Sequence, residues 1–377
     1  MIVGMPRESW NEERRVALTP AGVYSLSKAG HTAVVQSEAG AGCGFSTEAY
    51  REAGAAIVFS AEEVFARADI VVKVMPPTLQ ECGWIGEGKA LLSVVHLGSA
   101  NPEVLGVLRS QNIVAVGLEL IEDADHHLPV VKAMSEIAGT LIPQIAGRFL
   151  ETTHGGRGIM LGGVPGIPAA HVVIVGAGTA GSTAARVFCG YGASVTVMDE
   201  DLKRLRAVDA YLPKSVNTAL AAPYNMERYV TSADVVLGAV MVHGRKAPHV
   251  ITESMVRNMK PGSVLIDMSI DQGGCVETSR PTTLSDPVFE KHGVIHYCVP
   301  NIPSSVARTA SHALNNVILP FVEDIVEKGE EAFRLNAALR QGIYLFSGRC
   351  THEGLAGLLG WEYSPLDLLW SRQGGGD

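Results

Sequence analysis

From its N-terminus the chain alternates short runs of β-branched and aliphatic residues with stretches whose apolar positions recur at helical spacing, the pattern of βαβ units on a mostly parallel sheet. Ile2–Met5 opens as a strand. Thr19 and Pro20 then offer an N-cap with proline at the first helical position, Val23 and Leu26 supply the apolar spacing, and Gly30 stops the helix. A strand is predicted over Thr32–Gln36, a helix from Ser46 or Thr47 through Ala53, and further strands over Ala68–Val74, Ala90–Val95 and Ile113–Val116. That completes one α/β domain. Met134–Glu151 reads as one long helix interrupted by Pro143, and it precedes a second series of strands over His171–Val175, Ser194–Met198, Ala233–Val240, Ser263–Met268 and Val294–Tyr297. Arg308–Lys328 reads as another long helix, with Leu314, Val317, Leu319, Phe321, Val322 and Ile325 apolar. The tail beyond it is too short to fold alone and is expected to return to the first domain. The pattern therefore predicts an α/β architecture of two doubly wound domains separated by a cleft and joined by long helices. The first is discontinuous, over residues 1–130 and 308–377, and the second covers 131–307. The terminal Gly374–Asp377 is expected to be disordered.

Composition narrows what such a chain does. At 377 residues there is room for two or three domains. Charged residues make up 18% against a usual ~25%, and there are 41 glycines, which suits buried parallel strands with tight turns and subunit contacts that absorb further surface. The formal net charge of −9 leaves no global positive field to hold nucleic acid or an anionic membrane. No apolar run reaches the ~18–20 residues of a membrane span, and the N-terminal MIVGMPRESWNEERR lacks the order of a signal peptide. A soluble cytoplasmic protein acting on a small molecule is the expectation. The six cysteines are scattered without metal-site or CxxC spacing, so reduced thiols are expected. His126 and His127 lie beside Asp123 and Asp125, but no further ligand is nearby; an exposed polar loop is favoured and no metal is expected.

The strongest motif is HVVIVGAGTAGSTAARVFCGYGASVTVMDE. A buried strand ends in Gly176-Ala177-Gly178-Thr179-Ala180-Gly181, a helix begins at once, and a second strand ends at Asp199, 23 residues after Gly176. Gly176 makes the tight turn, Gly178 lets backbone approach a pyrophosphate, and Gly181 lets helix and strand pack closely. The helix N-terminus supplies free N–H groups for the phosphates. A carboxylate at 199 can bond the adenosine ribose hydroxyls and repel a 2′-phosphate, so NAD is favoured over NADP. Later in the same series, Asp271 follows a buried strand within the turn Ile270-Asp271-Gln272-Gly273-Gly274, where ligands bind in such sheets, although a turn-forming role is also open to it. In the first domain His96 ends the strand Ala90–Val95 and is followed by Leu97-Gly98-Ser99, placing a group that titrates near neutral pH at a strand's carboxyl end.

Together these residues resemble the alanine dehydrogenase family over almost the entire chain. The resemblance is carried by Arg15-Val16-Ala17-Leu18-Thr19-Pro20, His96-Leu97, Met134-Ser135-Glu136 with Ala138-Gly139, GGRGIMLGGVPG at 155–166, GAGTAG, Lys246-Ala247-Pro248, MKPGSVLIDMSIDQGG and the Asn301-Ile302-Pro303 turn. It implies two Rossmann-like domains, NAD as cofactor, a homo-oligomer (hexamer or dimer), and hydride transfer between nicotinamide and an L-amino acid or its 2-oxo acid. It further implies that Arg15 binds the substrate carboxylate, His96 acts as general acid/base and Asp271 assists the imine and carbinolamine steps. Ser135, Thr179, Ala180, Asp199, Val240, Met268, Asp271 and Asn301 would line the dinucleotide beside the three glycines, and Asn301 would also face the substrate.

One departure bears on the substrate. Where the family strand normally ends in Lys-Val-Lys-Glu-Pro, this chain has Lys73-Val74-Met75-Pro76-Pro77, and the second lysine is the one that touches the substrate in the family. Met75 donates no hydrogen bond. Losing a charge-assisted bond of ~1.5–3 kcal/mol corresponds to roughly 10–200-fold in affinity or rate. Lys73 shares the strand face and is a candidate to reach the substrate in its place, against a structural role of its own. Ala133 and Thr140 depart from the family's Pro and Arg, and Val-Met-Pro-Pro resembles the NAD-binding subunit of transhydrogenases. Three readings follow: a dehydrogenase of this type acting on an L-amino acid, a 2-oxo acid or a related imine that need not be alanine or pyruvate, alanine dehydrogenase itself, and an NAD(H)-binding or transhydrogenase-like protein without catalysis.

Overall fold

The computed structural model describes residues 1–96, 100–242 and 246–373. Leu97-Gly98-Ser99 and Gly374–Asp377 lie outside the described residues. The chain divides into two compact units, Met1–Met134 with Ser304–Asp377, and Ser135–Pro303. Its strands are β1 (Ile2–Met5), β2 (Thr32–Gln36), β3 (Ala56–Val58), β4 (Ile70–Val72), β5 (Ala90–Ser93), β6 (Val114–Gly117), β7 (His171–Val175), β8 (Ser194–Asp199), β9 (Asn217–Leu220), β10 (Val235–Gly238), β11 (Val264–Asp267), β12 (Val288–Lys291), β13 (Val294–Tyr297), β14 (Ile343–Phe346) and β15 (Arg349–Cys350).

In the first unit the order β3-β2-β1-β4-β5-β6 is parallel throughout, and the C-terminal tail adds β14 and β15 antiparallel beyond β6. In the second unit the order β9-β8-β7-β10-β11-β13 repeats the same winding, with β12 as an antiparallel edge. Both sheets therefore reverse direction beside their first strand, β1 against β4 and β7 against β10, which is where ligands bind in open α/β sheets. The middle strands read as continuous apolar runs because both faces are covered: Val72 and Leu92 enter one core of the first unit while Val71 and Leu91 enter the other. Val172 and Ile174 likewise face one core of the second unit, and Val173 and Val175 the opposite one. Each such side chain contributes ~1.5–3 kcal/mol of burial.

Two of the strands absent from the sequence reading are weakly patterned. β3 is three residues long, and β9 sits at a sheet edge with mostly exposed residues. The long helix predicted from Met134 starts earlier and runs Pro129–Leu150, since a proline at the first helical position loses only an N–H that the helix would leave unpaired. It also continues through Pro143, as the Ala307–Lys328 helix does through Pro320, so proline removes one bond here without ending the helix. Thr19 precedes the Pro20–Lys28 helix as predicted, but its side chain makes no cap bond; its N–H instead donates to Asn315 Oδ1 at 3.0 Å. Among the described residues no helix is long and apolar enough to cross a membrane.

Candidate active site

The predicted substrate residues of the first unit sit at the carboxyl ends of its strands, on either side of the β1/β4 reversal. Glu8 follows β1 and accepts the backbone N–H groups of Val74 at 2.6 Å and Met75 at 3.4 Å, tying together the chain segments that leave β1 and β4. Met75 is 9% exposed and belongs to an apolar cluster.

Lys73 is held by acids of its own unit. It is fully buried, with Nζ 2.9 Å from Glu81 Oε1 and 3.5 Å from Glu8 Oε2. Burial works to lower its pKa, but the two acids overcome this and hold it above its ordinary value. Glu81 is itself fixed by a capping box, Thr78 Oγ1 accepting its N–H and Glu81 Oε2 accepting that of Thr78. Paired with two buried carboxylates and itself without exposed surface, Lys73 has the surroundings of a structural ion pair, which supports that role over a contact with substrate.

Arg15 is 5% exposed and makes a fork-to-fork pair with Glu13, Nε to Oε1 at 2.8 Å and Nη2 to Oε2 at 2.7 Å. Its Nη1 lies 3.4 Å from Met134 Sδ. Of five guanidinium N–H groups, this pairing engages one on Nε and one on Nη2, so the fork is held in place while further donors remain for a carboxylate. His96 has the left-handed φ of 51°, uncommon for a residue with a side chain. Its N–H donates to Glu119 Oε1 at 2.7 Å, and that of Val95 to the same carboxylate at 2.9 and 3.1 Å.

In the second unit the glycine turn fits a dinucleotide. Gly176 has φ 110°, and a Cβ there would lie 2.3 Å from the carbonyl oxygen of Ala239, across the β7/β10 reversal. A Cβ on Gly181 would lie 1.9 Å from Gly176 O, whereas one on Gly178 would meet nothing within 4 Å, so the backbone there is open to close approach. Thr179 and Ala180 open the Thr179–Gly190 helix, whose N-cap Gly178 supplies no side-chain bond, so its first N–H groups are left for an anion. Asp199 at the end of β8 accepts Ala177 N–H at 2.8 Å and Asp201 N–H at 2.9 Å, binding the second strand to the glycine turn. A carboxylate has about four acceptor positions, so ribose hydroxyls can still be bonded. Asp271 and Asn301 meet: Asn301, with φ 57°, donates its N–H to Asp271 Oδ2 at 3.3 Å. Val240 is tied to Ser269, whose hydroxyl donates to its carbonyl at 2.7 Å and accepts its N–H at 3.1 Å. Met268 donates its N–H to Gly238 O at 2.9 Å. Ser135 is half-buried on the Pro129–Leu150 helix.

Residues 4–138 match the family described as alanine dehydrogenase/PNT, N-terminal domain, and residues 143–353 match alanine dehydrogenase/PNT, C-terminal domain. The chain belongs to the alanine dehydrogenase/PNT family. It is 42% identical over 370 residues to the alanine dehydrogenase of Staphylococcus haemolyticus (strain JCSC1435), covering 97% of this chain and 98% of that one. Alanine dehydrogenase 2 of Staphylococcus aureus (strain USA300) is equally similar, at 42% identity, 97% of this chain and 99% of its own. A solved L-alanine dehydrogenase superposes with a TM-score of 0.91 at 39% identity, covering 96% and 99% of the two chains. A transhydrogenase from Sinorhizobium meliloti shares the fold, with a TM-score of 0.81 at 24% identity over 94% of this chain and 99% of that one. The chain is accordingly an NAD-dependent, amino-acid-dehydrogenase-like oxidoreductase of this family.

Sequence reasoning passed over Glu8, Glu13, Glu81, Glu119 and Asp267. Asp267, fully buried at the end of β11, accepts the N–H groups of Ser269 at 2.9 Å and Cys275 at 3.0 Å and so shapes the Asp271 turn. Glu8 and Glu119 carry no mark in their spacing because they act on backbone far along the chain, whereas Glu13, Glu81 and Asp267 bond residues close in sequence and were simply overlooked. Asp123, Asp125 and His127 do bring ligand-type atoms within 4.8 Å of one another, but in a turn whose Asp123 carboxylate already accepts the N–H groups of Asp125 and His127.

Proposed function

We propose that this chain interconverts an L-amino acid and its 2-oxo acid with NAD, and that its substrate carries a side chain bulkier than that of alanine. The observation that supports this reading is the pair of residues at the end of β4: Met75 is apolar where the family places its substrate lysine, and Lys73 is locked between Glu8 and Glu81. Recognition of the carboxylate then falls to Arg15, oriented by Glu13, and the methionine thioether offers apolar surface to the substrate side chain. His96 would give a proton to the substrate oxygen or nitrogen as hydride arrives and take one back in the oxidative direction. Asp271, held beside Asn301, would assist loss and gain of water and ammonia at the same carbon. The glycine turn, Thr179, Ala180, Asp199, Val240, Met268 and Ser135 would hold the dinucleotide, which when bound supplies the hydride donor or acceptor.

A second reading, alanine dehydrogenase itself, is favoured by the relatives of that name at 42% identity over nearly the full chain. A panel of 2-oxo acids assayed with ammonium and NADH separates the two. On the leading reading, bulky aliphatic or aromatic 2-oxo acids exceed pyruvate in kcat/KM, and Met75→Lys raises the pyruvate value by roughly 10–200-fold. If pyruvate is the best substrate of the unaltered protein and Met75→Lys changes it little, the alanine reading stands. No turnover across the panel refutes both. We also propose a homo-oligomer, supported by exposed Met160, Val164 and Ile167, the last two bridged to each other in the segment 158–170.

A further inference from the structure

We infer that Glu119 is a positioning residue for His96, its carboxylate gathering the N–H groups of Val95 and His96 and so holding the backbone turn from which the imidazole is presented. The inference rests on the reading above, in which His96 handles the proton.

Glu119 reaches this turn from the Leu118–Leu120 3-10 helix that follows β6, the strand paired with β5. Leu118 and Leu120 on either side are buried, at 1% and 5% exposure, so packing fixes where the carboxylate can point. Both oxygens are used: Oε1 accepts from His96 at 2.7 Å and from Val95 at 2.9 Å, and Oε2 accepts from Val95 at 3.1 Å. Two successive N–H groups converging on one anion is how irregular backbone binds a negative charge. The conformation needs such support, because φ 51° at residue 96 is a position that glycine ordinarily occupies. Glycine is not available to a chain that needs an imidazole there, and charge-assisted bonds from outside the turn take over what a missing Cβ would otherwise supply. Burial pushes the Glu119 carboxyl up, with His96 and the backbone donors pulling the other way. A neutral side chain or a carbonyl could close an ordinary turn; here a carboxylate is aimed at the two N–H groups of residues 95 and 96.

The test is Glu119→Gln in the full-length protein, with Glu119→Asp as companion. Glutamine keeps one accepting oxygen but turns an NH2 group toward the other donor and removes the charge. We expect kcat to fall about 10–200-fold, the loss of a charge-assisted bond, while KM for the oxo acid, the NADH dissociation constant and the melting temperature change little. Glu119→Asp, which keeps the charge on a shorter stem, should recover part of the loss, and the pH profile of kcat/KM should move in Glu119→Gln. Independently of turnover, the rate at which diethyl pyrocarbonate modifies His96, read by peptide mass spectrometry against exposed His249, should rise in Glu119→Gln. An unchanged kcat with an unchanged modification rate overturns the inference, as does a joint fall of kcat, KM and melting temperature, which would mark Glu119 as structural only. Absence of turnover in the unaltered protein would refute the proposed function instead, and the His96 modification rate would still decide the role of Glu119. Should Glu119→Gln not fold, Glu119→Asp carries the same readouts.

Discussion

Taking an ammonium out of water costs several kcal/mol unless acids meet it inside, and at Lys73 they arrive from two places: Glu8 after β1 and Glu81 in the capping box. The same arrangement makes the lysine indispensable to the acids. Removing it as Lys73→Met would leave two buried carboxylates without their cation, and we expect a loss of ~3–5 kcal/mol in denaturant unfolding. If that variant were as stable as the parent and showed only a raised KM, Lys73 would be a substrate contact after all. Glu8 feels the imbalance already, its carboxyl pushed up by burial, with Lys73 and the Val74 N–H pulling the other way. The identity of residue 75 was legible in the sequence, and with it the doubt about alanine. The engagement of residue 73 was not, because Glu8 lies 65 positions away and only the pairing of β1 with β4 brings it near.

At the scale of elements, the glycine turn after β7 divides into positions that the fold requires and one, Gly178, that it leaves open for the proposed ligand. Gly181 is required by the fold, since a Cβ would sit 1.9 Å from Gly176 O and force the helix off the strand. Gly178 has no such protein neighbour. Gly181→Ala is therefore expected to lower the melting temperature and abolish NADH binding together. Gly178→Ala is expected to melt as the parent does while binding NADH about tenfold or more weakly, an effect of roughly 1.4 kcal/mol or above. Calorimetric titration beside thermal melts reads both, and equal stability losses in the two variants would contradict the division. This element was legible from its spacing, since strand, turn, helix and acid lie within 29 consecutive residues, His171 to Asp199. The edge strands β9 and β12 were not, because an edge strand exposed on one side carries too little apolar alternation to announce itself.

For the whole molecule, the low share of charged residues and the exposed Met160, Val164 and Ile167 point the same way, toward surface that a second copy would cover. Light scattering should give a multiple of the 39.9 kDa chain mass, and Met160→Glu with Ile167→Glu should reduce it; a monomer in the unaltered protein would remove the proposal. The tail illustrates the limits of length arguments: its return to the first domain followed from its being too short to fold alone, but its entry into the sheet as β14, antiparallel to β6, did not. Taken by itself, the sequence determined what depends on neighbours along the chain: two series of parallel strands, a dinucleotide turn with its acid, and the residue types at 15, 75, 96 and 271. Tertiary structure alone decided that Lys73 meets Glu8 and that the backbone of His96 is held by Glu119. The reason is physical. A charge or an N–H group inside a protein is satisfied by whatever lies within about 3 Å, and for these residues that partner is set by the strand order rather than by the sequence beside them.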